Sequence, residues 1–310
     1  MPSSRDNSIV VLGSANMDMV AKVKGFPRPG ETVFGASFGM FPGGKGANQA
    51  VCAARLGGTV VFIGKIGADV LGKRLADTLK RNKVNVRHLM RTRDTMSGTA
   101  LIAVDGKGEN EIIVISGSNM AVTPGEIRQR KGAFARARVI LSQLESPLEA
   151  VRESLALGRR NGAITILNPA PARRIPGSLL KLVDYLTPNE TEAEMLSGVR
   201  VNTGARTEKA ALKLLDLGVR NVIVTLGSRG CLFVNRKTSK RFPALKVRSV
   251  DSTAAGDAFS GALAFALAGG KAIEEAITFA SRVAAYSVTR MGAIPSMPAL
   301  RDLRKWRPGR

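Results

Sequence analysis

Asp251-Ser252-Thr253-Ala254-Ala255-Gly256-Asp257-Ala258-Phe259-Ser260-Gly261-Ala262-Leu263 begins small and polar, then turns almost wholly apolar. Phe259, Leu263, Phe265 and Leu267 recur among alanines until Gly269-Gly270 ends the run. The pattern predicts a loop feeding a helix too apolar for a surface position, hence a buried one. Ala254, Ala255 and Gly256 leave the main chain open at the helix start. First-turn N–H groups and the positive end of the helix dipole make an anion site there. Asp257 in that turn can take a proton from an alcohol while the donors hold the phosphoryl group under attack. Read alone, the same aspartate is more ordinarily a helix cap.

Outward from this stretch the chain alternates. Ile9-Val10-Val11-Leu12 is a β-branched apolar run closing on Gly13, as in a buried parallel strand. Residues 60–63 close on Gly64 ahead of a helix pattern over 71–79. Residues 139–141 lead to Gln143-Leu144-Glu145 and a helix from Pro147. Residues 164–167 run into Asn168-Pro169-Ala170-Pro171, which cannot be helical throughout. Tyr185-Leu186-Thr187 precedes Pro188-Asn189-Glu190-Thr191-Glu192, whose proline and acids suit a helix start. Residues 221–226, the turn Gly227-Ser228-Arg229-Gly230 and residues 231–234 read as strand, turn, strand. Such alternation predicts an α/β chain with a mostly parallel sheet flanked by helices.

Two pieces depart from it. Residues 19–42 carry Pro27, Pro29 and Gly30 between short strand-like segments, and residues 97–116 suit a hairpin around Asp105-Gly106-Lys107-Gly108. Together they predict a small β lid that would keep water from a phosphoryl-transfer site. Between them, counted from Gly39, Pro42-Gly43-Gly44-Lys45-Gly46 almost matches a P-loop. Gly46 stands where the Mg²⁺-binding hydroxyl belongs, and no strand is evident directly ahead, so the P-loop is rejected. What remains is a glycine-rich turn into a helix over 47–56, offering N–H groups, Lys45 and Asn48 to a ligand.

Composition narrows the class. The chain has 310 residues, two cysteines, one histidine and a formal net charge of +23. A disulfide framework, a zinc site and a histidine triad are all excluded as organising features. No run approaches the roughly 18 apolar residues of a membrane span, and residues 1–8 show no leader pattern, so a soluble cytoplasmic protein is expected. Basic clusters at Lys73-Arg74, Lys80-Arg81, 128–131, 236–241 and 301–310 raise the possibility of nucleic-acid binding. Few aromatics and no nucleic-acid-binding motif accompany them, so a solvated basic surface is the expectation.

By this point Asn16, Asp18, Glu145, Asn189, Glu192, Thr225, Gly227 and Asp257 all fall at strand ends, where open α/β sheets bind ligands. Their setting resembles a known family. Val11-Leu12-Gly13-Ser14-Ala15-Asn16-Met17-Asp18, Gly43-Gly44-Lys45-Gly46-Ala47-Asn48-Gln49-Ala50 and Asp251–Asp257 resemble the motifs of the PfkB carbohydrate kinase family. Leu144-Glu145-Ser146-Pro147, Asn168-Pro169-Ala170-Pro171, Thr187-Pro188-Asn189-Glu190-Thr191-Glu192 and Thr225-Leu226-Gly227-Ser228-Arg229-Gly230 resemble its ribokinase branch.

The resemblance implies a ribokinase-like three-layer α/β/α fold, residues 1–310 forming one domain with the β lid. It implies ATP-dependent phosphorylation of D-ribose at O5. By position, Asp257 is the general base, and the N–H groups of Ala255, Gly256 and Asp257 form the anion hole. Asn16, Asp18, Gly44, Lys45, Asn48 and Glu145 would hold the sugar. Asn189, Thr225, Gly227, Ser228, Gly230, Gly256 and Ser281 would line the nucleotide, with Glu192 organising Mg²⁺. Ser281 replaces a larger polar residue common among relatives. Asp251, Thr253, Ser287, Arg290, Gly292 and Ser296 would hold K⁺, and a homodimer through the lid is expected. Other acceptors (2-deoxyribose, fructose or adenosine) and, more remotely, a non-catalytic sugar- or nucleic-acid-binding protein are the competing readings.

Overall fold

The computed structural model describes residues 7–308. The expectations for residues 1–6 and for the last two residues of the basic tail lie outside them. The first strands are β1 (Ser8–Leu12), β2 (Asn16–Val23), β3 (Gly35–Gly43), β4 (Thr59–Gly67), β5 (Asn85–Thr92), β6 (Gly98–Val104) and β7 (Asn110–Ile115). There follow β8 (Val139–Ser142), β9 (Ile164–Leu167), β10 (Tyr185–Leu186), β11 (Asn221–Thr225), β12 (Cys231–Asn235) and β13 (Ser239–Phe242).

Nine of these form one sheet in the order β13-β12-β11-β10-β9-β8-β1-β4-β5. It is parallel from β5 to β11, and an antiparallel β12–β13 hairpin completes one edge. Helices cover both faces, which follows from the side-chain period of a strand. In β1, Ile9 and Val11 enter one core, while Val10 and Leu12 enter the other. All four are fully buried, each contributing roughly 1.5–3 kcal/mol by transfer from water. The first core is closed by the helices Lys45–Arg55, Ala255–Ala268 and Ile273–Ser287, the second by Leu148–Arg160 and Gly204–Asp216. The apolar stretch from Ala258 to Ala268 is thus a buried helix, as its composition predicts.

β1 pairs with β4 on one side and β8 on the other, so the chain builds outward in both directions. A crevice opens at the carboxyl ends of strands where that reversal occurs. The segments after β1, β8, β9, β10 and β11 all converge there.

The remaining strands form a second sheet, in the order β3-β2-β6-β7. The β6–β7 hairpin turns at Asp105, whose carboxylate accepts from the N–H groups of Lys107 (2.8 Å) and Glu109 (2.9 Å). Three details differ from the sequence reading. The small sheet takes in Asn16–Val23, so Asn16 and Asp18 lie on its first strand rather than in a loop. A strand, β3, does run directly up to Gly44; its glycines and Pro42 hide it in the sequence. The following helix begins at Lys45. Beyond Pro298 a short helix, Leu300–Lys305, carries exposed Arg301, Arg304 and Lys305. Among the described residues no helix is long and apolar enough to cross a membrane.

Candidate active site

Asp257 sits in the first turn of the helix Ala255–Ala268 and is 6% exposed. Ala254 precedes the helix with φ of 60°, a left-handed conformation that costs a residue with a Cβ and that the surrounding fold holds in place. The helix has no side-chain cap. Asp257 therefore does not serve its own helix. Its Oδ2 accepts from Asn48 Nδ2 at 2.9 Å and its Oδ1 from Gln49 Nε2 at 2.8 Å. Of the three N–H groups expected to form the anion hole, that of Ala255 donates to the Ser252 carbonyl at 3.2 Å. Those of Gly256 and Asp257 have no acceptor among the described residues.

The helix Lys45–Arg55 is drawn against the end of β1 by glycines. A Cβ on Gly46 would stand 2.6 Å from Ser14 N and 2.7 Å from Gly13 C. Gly44 has φ of 89°, and a Cβ there would stand 2.7 Å from Asn16 N. Only glycine permits that approach. The Ala47 N–H then donates to Ser14 O at 2.9 Å and the Lys45 N–H to Glu145 at 3.0 Å. The Ser14 hydroxyl donates to the same Glu145 oxygen. Asn16 Oδ1 accepts from Asn119 Nδ2 at 2.6 Å, which turns the Asn16 amide so that its NH₂ remains to donate. Asn48 Oδ1 is the converse: buried, with no partner, it is a vacant acceptor.

Charge concentrates here. Burial, then Glu145 and Asp257, push the Asp18 carboxyl up to about 7, against the pull of Lys45. Burial likewise raises Asp257, opposed by Lys45 and by the Asn48 and Gln49 amides. Burial would lower Lys45, but Asp257, Glu145, Glu192 and Asp18 together outweigh it and raise the ammonium. One cation among four carboxylates is an unusual cost for an empty cleft, and it suits a ligand rich in hydroxyl donors.

The far end of the crevice holds the expected nucleotide residues. Asn189 and Glu192 form a reciprocal capping box at the helix Glu190–Ser197, and Asn189 bridges to Thr225. Burial raises the Glu192 carboxyl, while the Asn189 N–H and Lys45 oppose it. Gly227, Ser228 and Arg229 form a tight turn that Arg229 ties to Glu190. At Gly230 a Cβ would stand 2.0 Å from Phe242 O. Burial pushes the Cys231 thiol at the start of β12 up to about 11, with Ser281 acting against it.

Of the residues expected around K⁺, Asp251 and Thr253 lie on the loop before the helix Ala255–Ala268, and the others run from the end of the helix Ile273–Ser287 to the short helical turn Ala293–Ser296. Asp251 accepts from the N–H groups of Thr253 (2.8 Å) and Gly292 (2.7 Å). Val288 O receives the N–H groups of Val250 and Asp251. Ser287 and Ser296 are fully buried, each bonded to a carbonyl of its own turn. The Arg290 guanidinium lies 3.6 Å over the Tyr286 ring, so only its carbonyl is available to an ion. Among the described residues no three His, Cys, Asp or Glu side chains group to hold a metal.

The family model described as "pfkB family carbohydrate kinase" matches residues 6–300. The chain belongs to the PfkB carbohydrate kinase family. A ribokinase of Haemophilus influenzae is 41% identical, covering 95% of this chain and 96% of its own. A deoxyribokinase of Salmonella typhi is 35% identical, covering 96% and 98%. The structure of Arabidopsis thaliana ribokinase complexed with ribose and ATP superimposes with a TM-score of 0.92 at 32% identity, covering 97% of this chain and all of that one.

Several residues of this PfkB-family kinase site were not singled out as site residues in the sequence. Ser14, Gln49, Asn119, Gln143 and Asn168 all lie buried behind the residues that face the crevice. Ser14, Gln49 and Asn168 stand within quoted motifs and Gln143 directly follows β8, which was the available signal; Asn119, in the helical turn Gly117–Ala121, carried none.

Asp18 gives the kinase a pH signature. Its folded pKa lies above the unfolded value, so this group favours the folded state at low pH and ceases to as pH rises through about 7. We expect the thermal midpoint of the free protein to fall between pH 5 and 8 on this account, and Asp18→Asn to flatten the dependence. The KM for a sugar whose hydroxyl donates to Asp18 should rise below about pH 7 in the parent alone. Parallel profiles in the two proteins would contradict this.

Proposed function

We propose that the chain transfers the γ-phosphoryl group of ATP to O5 of D-ribose, giving D-ribose 5-phosphate and ADP. The observation that carries the reading is a buried carboxylate, Asp257, in the same helical turn as two unpartnered N–H groups and coupled to Lys45, Asp18 and Glu145. The names of the Haemophilus influenzae and Arabidopsis thaliana relatives support it. Asp257 takes the O5 proton as the O5–phosphorus bond forms, and ADP leaves as the bond to its bridging oxygen breaks. The Gly256 and Asp257 N–H groups hold the transferring oxygens, joined by Ala255 once Ser252 O releases it. Asn16, Asp18, Gly44, Lys45, Asn48 and Glu145 hold the sugar. Asn48 Oδ1 accepts from a hydroxyl and the Asn16 NH₂ donates to one, so an analogue lacking a hydroxyl leaves a buried polar group unpaired.

Asn189, Thr225, Gly227, Ser228, Gly230 and Ser281 take the nucleotide. Mg²⁺ would arrive with it, phosphate oxygens and water supplying most ligands and Glu192 acting from behind. The Asp251 charge, the Thr253 and Ser296 hydroxyls and the loop carbonyls are an oxygen-only donor set, which suits K⁺. That ion would supply positive charge behind the anion hole and fix the shape of its loop.

The chain works as one ribokinase-like unit over residues 1–310, in the cytoplasm, where its free cysteines Cys52 and Cys231 remain reduced. A coupled ADP-release assay over ribose, 2-deoxyribose, fructose and adenosine, with K⁺ or with Na⁺, tests the proposal. Ribose should give the highest kcat/KM, and K⁺ should raise the rate. Preference for adenosine would overturn it. The Salmonella typhi deoxyribokinase makes 2-deoxyribose the second reading, and the same assay decides.

A second copy of the chain would cover the small sheet. Exposed apolar side chains line both of its faces, Phe41, Ile112 and Val114 on the face of Asp18 and Phe38, Leu101 and Ile113 on the opposite one, an apolar exposure that a lone subunit normally avoids. Sedimentation should give a dimer mass, and Ile112→Asp with Ile113→Asp should halve it. A parent that sediments as a monomer would refute this.

A further inference from the structure

We propose that Gln49 is a positioning residue for phosphoryl transfer, holding the Asp257 carboxylate in one orientation and keeping it ionised. The inference rests on the kinase reading above and deepens it.

The Gln49 side chain is fully buried and every polar atom of its amide is used. Nε2 donates to Asp257 Oδ1 at 2.8 Å and to Asn168 Oδ1 at 3.1 Å, and Oε1 accepts from Gln143 Nε2. Asn168 is itself fixed, donating to Thr187 O at 3.1 Å. Strand ends β8, β9 and β10 are thereby linked through one amide to the proposed base. If Gln49 turned over, its oxygen would face both the carboxylate and Asn168 Oδ1. The surroundings allow a single orientation. Asn48, by contrast, holds the other Asp257 oxygen through its Nδ2 alone, its Oδ1 having no partner.

A neutral amide that donates to a carboxylate favours its charged form. Lys45 acts in the same sense. Glu145, Asp18 and Glu192 act against it, and the buried Cys52 thiol stays neutral, its own ionisation pushed up by burial. Gln49 is thus one of few groups on the side of the ionised base, and the only one locked there from three strands.

The test is the pH dependence of kcat with saturating ribose, which reports the enzyme–substrate complex. Gln49→Met keeps the volume and removes the donor. Its acid limb should move up by about one pH unit, with kcat at pH 7 down roughly 10–10² and ribose KM changed less than threefold. Gln49→Glu, which places a second carboxylate there, should move the limb further. Loss of packing alone would lower kcat equally at every pH. An unmoved limb in Gln49→Met overturns the proposal. Should that variant not fold, Gln49→Glu carries the test alone, and an unmoved limb there overturns the proposal equally. A parent without ribose-dependent ADP release would instead sink the kinase reading, so the two failures are distinguishable.

Discussion

Asp257→Asn lowers kcat by roughly 10²–10⁴, the range expected when a general base is lost. The structure specifies the rest of the outcome. An asparagine at this position must present an oxygen to one neighbour and an NH₂ to the other. Gln49 cannot turn, so the oxygen faces Gln49 and the NH₂ faces Asn48. Asn48 can turn, because its Oδ1 is vacant. In doing so it offers the sugar an NH₂ in place of an acceptor. Ribose KM should therefore rise several-fold, even though the substitution is isosteric. Global stability should change little, since a buried charge is removed as hydrogen bonds are rearranged. Steady-state kinetics at saturating ATP measure both effects. A variant with near-parental kcat would remove Asp257 from the base role.

Gly46→Ala is the second large effect, and it acts through backbone. The new Cβ would stand 2.6 Å from Ser14 N and 2.7 Å from Gly13 C and Cα, all main-chain atoms. No side chain can rotate away. Either the helix Lys45–Arg55 or the end of β1 must move, at a cost of about 1–3 kcal/mol by the usual scale of overpacking. The larger consequence falls on catalysis. Lys45, Asn48 and Gln49 ride on that helix, while Ser14, Asn16 and Glu145 are referenced to the strand ends. A shift near 1 Å between the two halves of such a site costs about 10²-fold in rate. Gly57→Ala, at the other end of the same helix, meets no atom within 4 Å and serves as the comparison, its strain coming only from φ of 103°. Equal activity in the Gly46→Ala and parent proteins would show that the close approach is dispensable.

Much of the fold was legible because parallel strands announce themselves. Ile9-Val10-Val11-Leu12 is apolar on both faces since each face meets its own core. The small sheet was legible only in part. Asn16 and Asp18 are types that favour turns, and their strand identity comes from pairing with β3 and β6, far along the chain. β3 itself is written with Gly35, Gly39, Pro42 and Gly43, residues that usually interrupt a strand.

The site divided in the same way. Asp257 has identical local sequence whether it caps a helix or serves as a base; only the burial of its carboxylate under Asn48 and Gln49 separates the two. The amide cluster of Gln49, Gln143 and Asn168 has no periodicity to betray it. Its members share nothing along the chain except a place at the open end of the sheet, and three-dimensional assembly alone makes them neighbours.

The strand that begins at Asn16 and continues through Asp18 belongs to the small sheet, not to the main body. On the proposed function, grip on the acceptor and closure over it would therefore be one mechanical event. A pentose engaging Asp18 would pull on the cover directly, whereas a lone water molecule would find nothing to tug. Wasteful cleavage of ATP would then be restrained by leverage, before any chemistry at phosphorus begins.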